Sequence, residues 1–274
     1  MRFLLVFISI FLVACASNNE KQSIREKQAN IYYGKGTNQI ALGKYTQALK
    51  SLLKAYELNP NRADINNNLG MAYYFKNRKQ RAVDFIKKSL KIDPKHTDAR
   101  LNLATIYTEL GRFNEAQMQY NIVLDDLTYE YQHKTYYNLG LLNLKKNNFR
   151  KALNYFKQSL NESQNYCPAH FQIGELYYRN GSYNKALESY RSASQGVCYN
   201  QPRPLYHQAL SYIQLKQYDT AKIKLEEIIE RFALTKYQRM ANKKLQTVNH
   251  LIQKEMRNSK NFEKPNGNIL TPNF

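Results

Sequence analysis

Residues 69–94, LGMAYYFKNRKQRAVDFIKKSLKIDP, carry the pattern that decides the fold. The first half holds a small-residue pair, Leu69-Gly70, and an aromatic three positions later, Tyr73. The second half holds Ala82 and closes on Asp93-Pro94, where proline cannot continue a helix. The same arrangement recurs along the chain. Aligned on Ala48, Ala82, Ala116, Ala152, Ala186 and Ala221, successive copies stand 34, 34, 36, 34 and 35 residues apart. The small pair returns as Leu103-Ala104, Leu139-Gly140 and Ile173-Gly174, and more weakly as Lys35-Gly36 and Gln208-Ala209. The aromatic returns as Tyr107, Tyr177 and Tyr212, with Gln39 and Asn143 departing from it.

Between the two halves, a Gly or Asn is followed at two residues by an aromatic, as in Gly43-Lys44-Tyr45, Gly111-Arg112-Phe113, Asn147-Asn148-Phe149 and Gly181-Ser182-Tyr183. Gly and Asn tolerate the left-handed conformation that ends a helix. Pro60 holds the same closing place as Pro94. A helix–turn–helix period near 34 is the tetratricopeptide signature. The expected fold is all-α, with six repeats over residues 29–235 stacked as a solenoid. The resemblance implies a right-handed superhelix. Residues 236–256 form one more amphipathic helix, with Ala241, Leu245, Val248 and Leu251 as its apolar stripe. Such a helix caps the last hydrophobic face of an open stack. The Pro- and Asn-containing tail 257–274 is expected to be disordered.

The chain has 274 residues, of which only 10 are Gly and 7 Pro, which suits helices joined by short turns. With 23 Tyr, 12 Phe and no Trp, the core should be rich in tyrosine, whose hydroxyls need partners when buried. The formal net charge is +20. A basic balance attracts anionic lipid, nucleic acid or acidic proteins, and does not by itself choose among them. The Lys and Arg residues are spread along the chain and no nucleic-acid-binding motif accompanies them, so a solvated basic surface is the reading adopted.

At the N-terminus, MRFLLVFISIFLVA places one cation, Arg2, before an apolar run that is too short to span a bilayer. It suits the apolar region of a secretory signal. The run ends in Leu12-Val13-Ala14-Cys15, which resembles the bacterial lipobox. That resemblance implies a diacylglycerol thioether on Cys15, which becomes the mature N-terminus. Ala16 and Ser17 do not supply the aspartate of inner-membrane retention, which directs the expectation to the periplasmic face of the outer membrane. Residues 15–28 are then a flexible lipidated tether.

Export leaves Cys167 and Cys198 in an oxidising compartment. Cys167 opens the fifth repeat and Cys198 follows its second helix, places that antiparallel helices bring together. A bridge of that loop length contributes about 3.7 kcal/mol in the chain-entropy model. It would clamp the segment 196–202, which lacks helical periodicity.

No catalytic or metal constellation stands out. The chain has no phosphate-cradling glycine loop and no nucleophile elbow. His96, His133, His170 and His207 are 37 residues apart, out of phase with the repeat, and with His250 they read as surface or helix-terminal residues. No enzyme activity, metal or cofactor is expected beyond the lipid on Cys15. The working surface should be the face of the first helices, lined by Tyr33, Asn67, Asn68, Met71, Tyr74, Phe75, Leu101, Asn102, Tyr137, Asn138, Leu141, Phe171 and Tyr178. Asn68, Asn102 and Asn138 share one position in successive repeats. In tetratricopeptide domains that position often grips the backbone of a bound peptide, since an amide both donates and accepts. Packing between repeats is the other reading, and both stand at this point.

The lipobox, tether, six repeats and late cysteine pair together resemble the type IV pilus biogenesis and stability lipoproteins, the pilotins of pilus secretins. That resemblance implies a monomeric, non-enzymatic assembly factor that binds secretin subunits and promotes their outer-membrane targeting and multimerisation. The strong basicity and the weak first-repeat pair depart from it. A lipoprotein adaptor for cell-wall enzymes, or for outer-membrane protein assembly, is the alternative.

Overall fold

The computed structural model describes residues 2–262, with side chains described for 21–258. Among the described residues there are thirteen α-helices and no strand. The helices are α1 Arg2–Ala41, α2 Tyr45–Leu58, α3 Ala63–Phe75, α4 Lys79–Ile92, α5 Thr97–Glu109, α6 Phe113–Leu124, α7 Gln132–Lys145, α8 Phe149–Glu162, α9 Cys167–Arg179, α10 Tyr183–Ser192, α11 Pro202–Gln214, α12 Tyr218–Arg231 and α13 Lys236–Phe262. A single 3-10 turn, Gly196–Cys198, precedes α11. The chain divides into two compact units, Met1–Lys145 and Lys146–Phe274. Within each unit every helix packs against its neighbours in sequence, so the all-α tetratricopeptide fold stands as read.

The repeat phase is written in the backbone. One residue in each intra-repeat turn takes positive φ: Gly43 (70°), Asn77 (58°), Gly111 (75°), Asn147 (57°), Gly181 (73°) and Lys216 (59°). At five of these turns the next amide reaches back to close the helix end, as in Arg78 N to Tyr73 O and Gln217 N to Tyr212 O, both 2.9 Å. This is the six-to-one bond of a Schellman cap. Lys216 holds it without the freedom of Gly or Asn, which is why the sixth turn was not visible as a turn in the sequence.

Close approach explains the small residues. A Cβ on Gly70 would stand 2.6 Å from Ile86 Cγ1, and one on Gly174 would stand 2.6 Å from the Tyr190 ring. All six aligned alanines, Ala48, Ala82, Ala116, Ala152, Ala186 and Ala221, have no exposed surface. The core between them is chiefly Leu, Ile and Ala. Tyr120 and Tyr190 are the fully buried tyrosines, and both hydroxyls are partnered: Tyr120 with Thr105 Oγ1 at 3.3 Å, Tyr190 with Glu175 Oε1 at 2.5 Å. Most other tyrosines are half-buried, and several of their hydroxyls find partners too, as Tyr129 does with Asp98 Oδ1 at 2.8 Å.

Two boundaries change. The segment 15–28, expected to be a flexible tether, lies within helix α1. Its Glu, Lys, Gln and Arg residues are good helix formers and no Gly or Pro interrupts them, so the helix of the first repeat runs on upstream. The side chain of Cys15 lies outside the described residues. At the other end, α13 extends through Phe262, six residues past the expected cap, so 257–262 are helical. Residues 263–274 lie outside the described residues. The cap packs as expected against α11 and α12, through Ala241 and Val248 with Leu245, but Ile252 takes the place expected for Leu251.

Candidate partner-binding face

In the first unit, a ladder of side-chain amides and hydroxyls links the first helices. Asn138 on α7 donates to Thr105 Oγ1 on α5 at 3.4 Å. Asn102 on α5 donates to Asn67 Oδ1 on α3 at 3.0 Å. Asn67 donates to Asn68 Oδ1 at 3.3 Å, and Asn68 donates to Thr37 Oγ1 on α1 at 2.9 Å. Each of the three phased asparagines therefore turns its amide nitrogen back to the preceding repeat. This is the packing reading of that position, and it leaves the nitrogens committed within the chain. Asn67 is itself buried, as is Leu101, and neither lines an open surface. Thr37, Thr105 and the second role of Asn67 were missed. Their signal is a hydroxyl or amide one repeat upstream of each phased Asn.

The accessible part of this face is aromatic. Phe75 is 38% exposed at the end of α3 and stacks on Tyr45 of α2, ring centroids 4.5 Å apart and nearly parallel. Tyr74 meets Phe75 edge-on at 5.3 Å. Burial pushes the Tyr74 hydroxyl up, and the Glu109 carboxylate beside it pushes the same way. Glu109 is held below the usual carboxylate range, first by its hydrogen bond from Lys79 Nζ, 2.9 Å away. Gly43, Lys44, Tyr45, Thr46, Gln47, Phe75 and Lys76 line a shallow cavity of about 380 Å³ here. Met71, Tyr137 and Leu141 lie half-buried along the same helices. Tyr33 is half-buried under Arg62, whose guanidinium sits 5.2 Å from the ring centre.

In the second unit, the corresponding face is knit by charge and rings. Phe171, expected on the open face of the first helices, is only 6% exposed. Arg203 covers it at 4.1 Å and His207 meets it edge-on at 5.0 Å. Tyr178 is half-buried against Tyr183 at 5.3 Å. His207, expected at the surface, instead binds Glu175 through Nδ1 at 2.7 Å and packs against Phe171, Tyr190 and Tyr206. Burial alone would raise Glu175, but the bonds from His207 and Tyr190 outweigh it and hold the carboxyl below its ordinary value. Burial and the Glu175 charge push the Tyr190 phenol strongly up. All partners of this carboxylate serve to join α9, α10 and α11. Nothing in spacing announced the cluster, since its members lie on three helices.

Cys167, first residue of α9, and Cys198, in the 3-10 turn, have their sulfurs 2.13 Å apart with Cα atoms 6.3 Å apart. Arg231 of α12 donates to Tyr199 O at 3.0 Å and lies over the Tyr199 ring, so the same turn is also tied to the sixth repeat. Among the described residues no three His, Cys, Asp or Glu side chains gather as metal ligands.

Tetratricopeptide-repeat models match residues 63–96, 97–161, 137–197 and 205–235, and a TPR-repeat model matches 40–76. The chain is 24% identical over 202 residues to the type IV pilus assembly protein PilF of Pseudomonas aeruginosa, covering 72% of this chain and 80% of that protein. The solved Pseudomonas aeruginosa PilF superposes with a TM-score of 0.63 at 21% identity, over 80% of this chain and 99% of the other. PilW, a widely conserved type IV pilus biogenesis factor, superposes with a TM-score of 0.66 at 19% identity, over 77% of this chain and 97% of the other. The superpositions speak for the fold, and the sequence match speaks for kinship. The chain belongs to the tetratricopeptide-repeat proteins and is homologous to the type IV pilus assembly protein PilF.

Proposed function

We propose that this chain is a lipid-anchored scaffold of type IV pilus biogenesis, which binds secretin subunits at the periplasmic face of the outer membrane and promotes their multimerisation. The observation that carries the reading is the match to a pilus assembly protein across 80% of that protein's length. The lipobox-like Leu12-Val13-Ala14-Cys15 supports the anchor, with the acyl chains on Cys15 supplying the address. Stable anchoring takes more than one chain, which a diacylated and N-acylated cysteine provides. Export also suits an oxidised Cys167–Cys198 bridge.

Because Asn68, Asn102 and Asn138 are committed between repeats, the grip on the partner falls to the aromatic lip of Tyr45, Tyr74 and Phe75. Rigid aromatic surface of this kind gives contact area at low entropy cost. The test is removal of the gene, with secretin followed by electrophoresis without boiling. Secretin should remain monomeric and surface pili should be lost. Normal secretin multimers in that strain would reject the function.

A further inference from the structure

We propose that the outer face of α13 docks on a layer of anionic phospholipid headgroups. At about 100° per residue, Lys236, Arg239, Lys243, His250, Lys254 and Arg257 fall within an arc of about 60° on one side of the helix. They run along it for about 32 Å. All six are exposed. The opposite side carries Ala241, Leu245, Val248 and Ile252 and is packed into α11 and α12. The one acid of the helix, Glu255, lies about a quarter turn off the arc.

The preceding helix treats its charges differently. In α12, Lys222 pairs with Glu226 at 3.9 Å, Lys224 with Glu227 at 2.8 Å, and Arg231 with Glu227. Among the described residues, none of the Lys and Arg residues of the α13 stripe has a carboxylate within ion-pair distance. A helix that needed only solubility could mix signs as α12 does. A stripe of one sign repels itself, and an opposed charge relieves that repulsion.

The shape selects the occupant. The stripe is the convex side of a single helix and has no groove in which a peptide could bury side chains. A headgroup layer is flat, dense in negative charge and needs no groove. Met240, 40% exposed at the edge of the stripe, adds an apolar contact of the kind interfacial helices use. The proposal rests on the membrane-anchored reading for the presence of a membrane, and adds a second contact to the lipid at Cys15.

The test uses the lipidated full chain with a fluorescent amino acid in place of Thr247, which lies beside the stripe. It is anchored on vesicles of phosphatidylcholine, with or without phosphatidylglycerol, that carry a headgroup quencher. Quenching should appear on the anionic vesicles, fade in high salt, and be several-fold weaker on the neutral ones. Each of Arg239→Gln, Lys243→Gln, Lys254→Gln and Arg257→Gln should weaken the contact about five-fold. These residues are exposed, so an unchanged melting temperature will show that the variants fold. Equal quenching on both vesicles, or none, overturns the proposal. So does a photocrosslinker at position 247 that captures an acidic protein instead of lipid in native membranes. Secretin multimerisation is scored separately, so failure here and failure of the pilus reading are distinguishable.

Discussion

The two units join successive first helices by different chemistry. In the first, neutral groups do it: Asn102 reaches Asn67, and Asn68 reaches Thr37. In the second, the joint between α9 and α11 is ionic and aromatic, with Glu175 held by His207 and Tyr190 and with Phe171 covered by Arg203. A sulfur bridge at the start of α9 lies in the same unit. One fold position is thus filled by a network indifferent to pH in one unit, and by one that answers to pH in the other. Repeats need a contact at that place, but the fold does not dictate its chemistry.

The largest test of the contrast is the bridge. Cys167→Ser with Cys198→Ser should lower the stability of the second unit by about 3.7 kcal/mol, the chain-entropy value for this loop. Hydrogen exchange should show loosening in residues 167–235 and leave α3–α6 unchanged. Equal loosening in both units would erase the distinction.

Glu175→Ala comes next. It removes a charged acceptor and strands the buried Tyr190 hydroxyl, at a cost of about 2 kcal/mol. Chemical denaturation measures it. The sign of the pH effect follows from the lowered Glu175 value. Its stabilisation is present above the ordinary glutamate value of about 4.3 and is lost as pH falls through the lower folded value. The variant should flatten that acid limb in the second unit. An acid limb unchanged by the substitution would show that the ionic joint contributes nothing.

Asn102→Ala is the smallest, about 1 kcal/mol, and independent of pH. It should leave partner binding intact, because its amide nitrogen faces Asn67. Loss of partner binding with an unchanged melting temperature would restore the peptide-gripping role instead.

The repeat number, helix pairing, turn positions and cap were legible in the amino-acid sequence because they are periodic and local. Ala82 and its equivalents sit where helices touch, and Gly43 or Asn147 sits where the backbone must turn left-handed. Each such requirement acts on a residue and its near neighbours, so it leaves a mark every 34 residues or so. Lys216 shows the limit, since it takes the same backbone conformation with no mark in its identity.

The site was only half legible. Position within a repeat puts Tyr74, Phe75, Phe171, Leu101 and Asn67 alike on the first-helix face, yet Phe75 is exposed there while Phe171, Leu101 and Asn67 are buried. Which partner a polar side chain chooses depends on groups about one repeat away in sequence and next to it in space. Asn68 chose Thr37, Asn102 chose Asn67, and His207 chose Glu175. Local periodicity determined that helices would stack, and only the tertiary structure decided which side chains the stacking would use up and which it would leave to a partner.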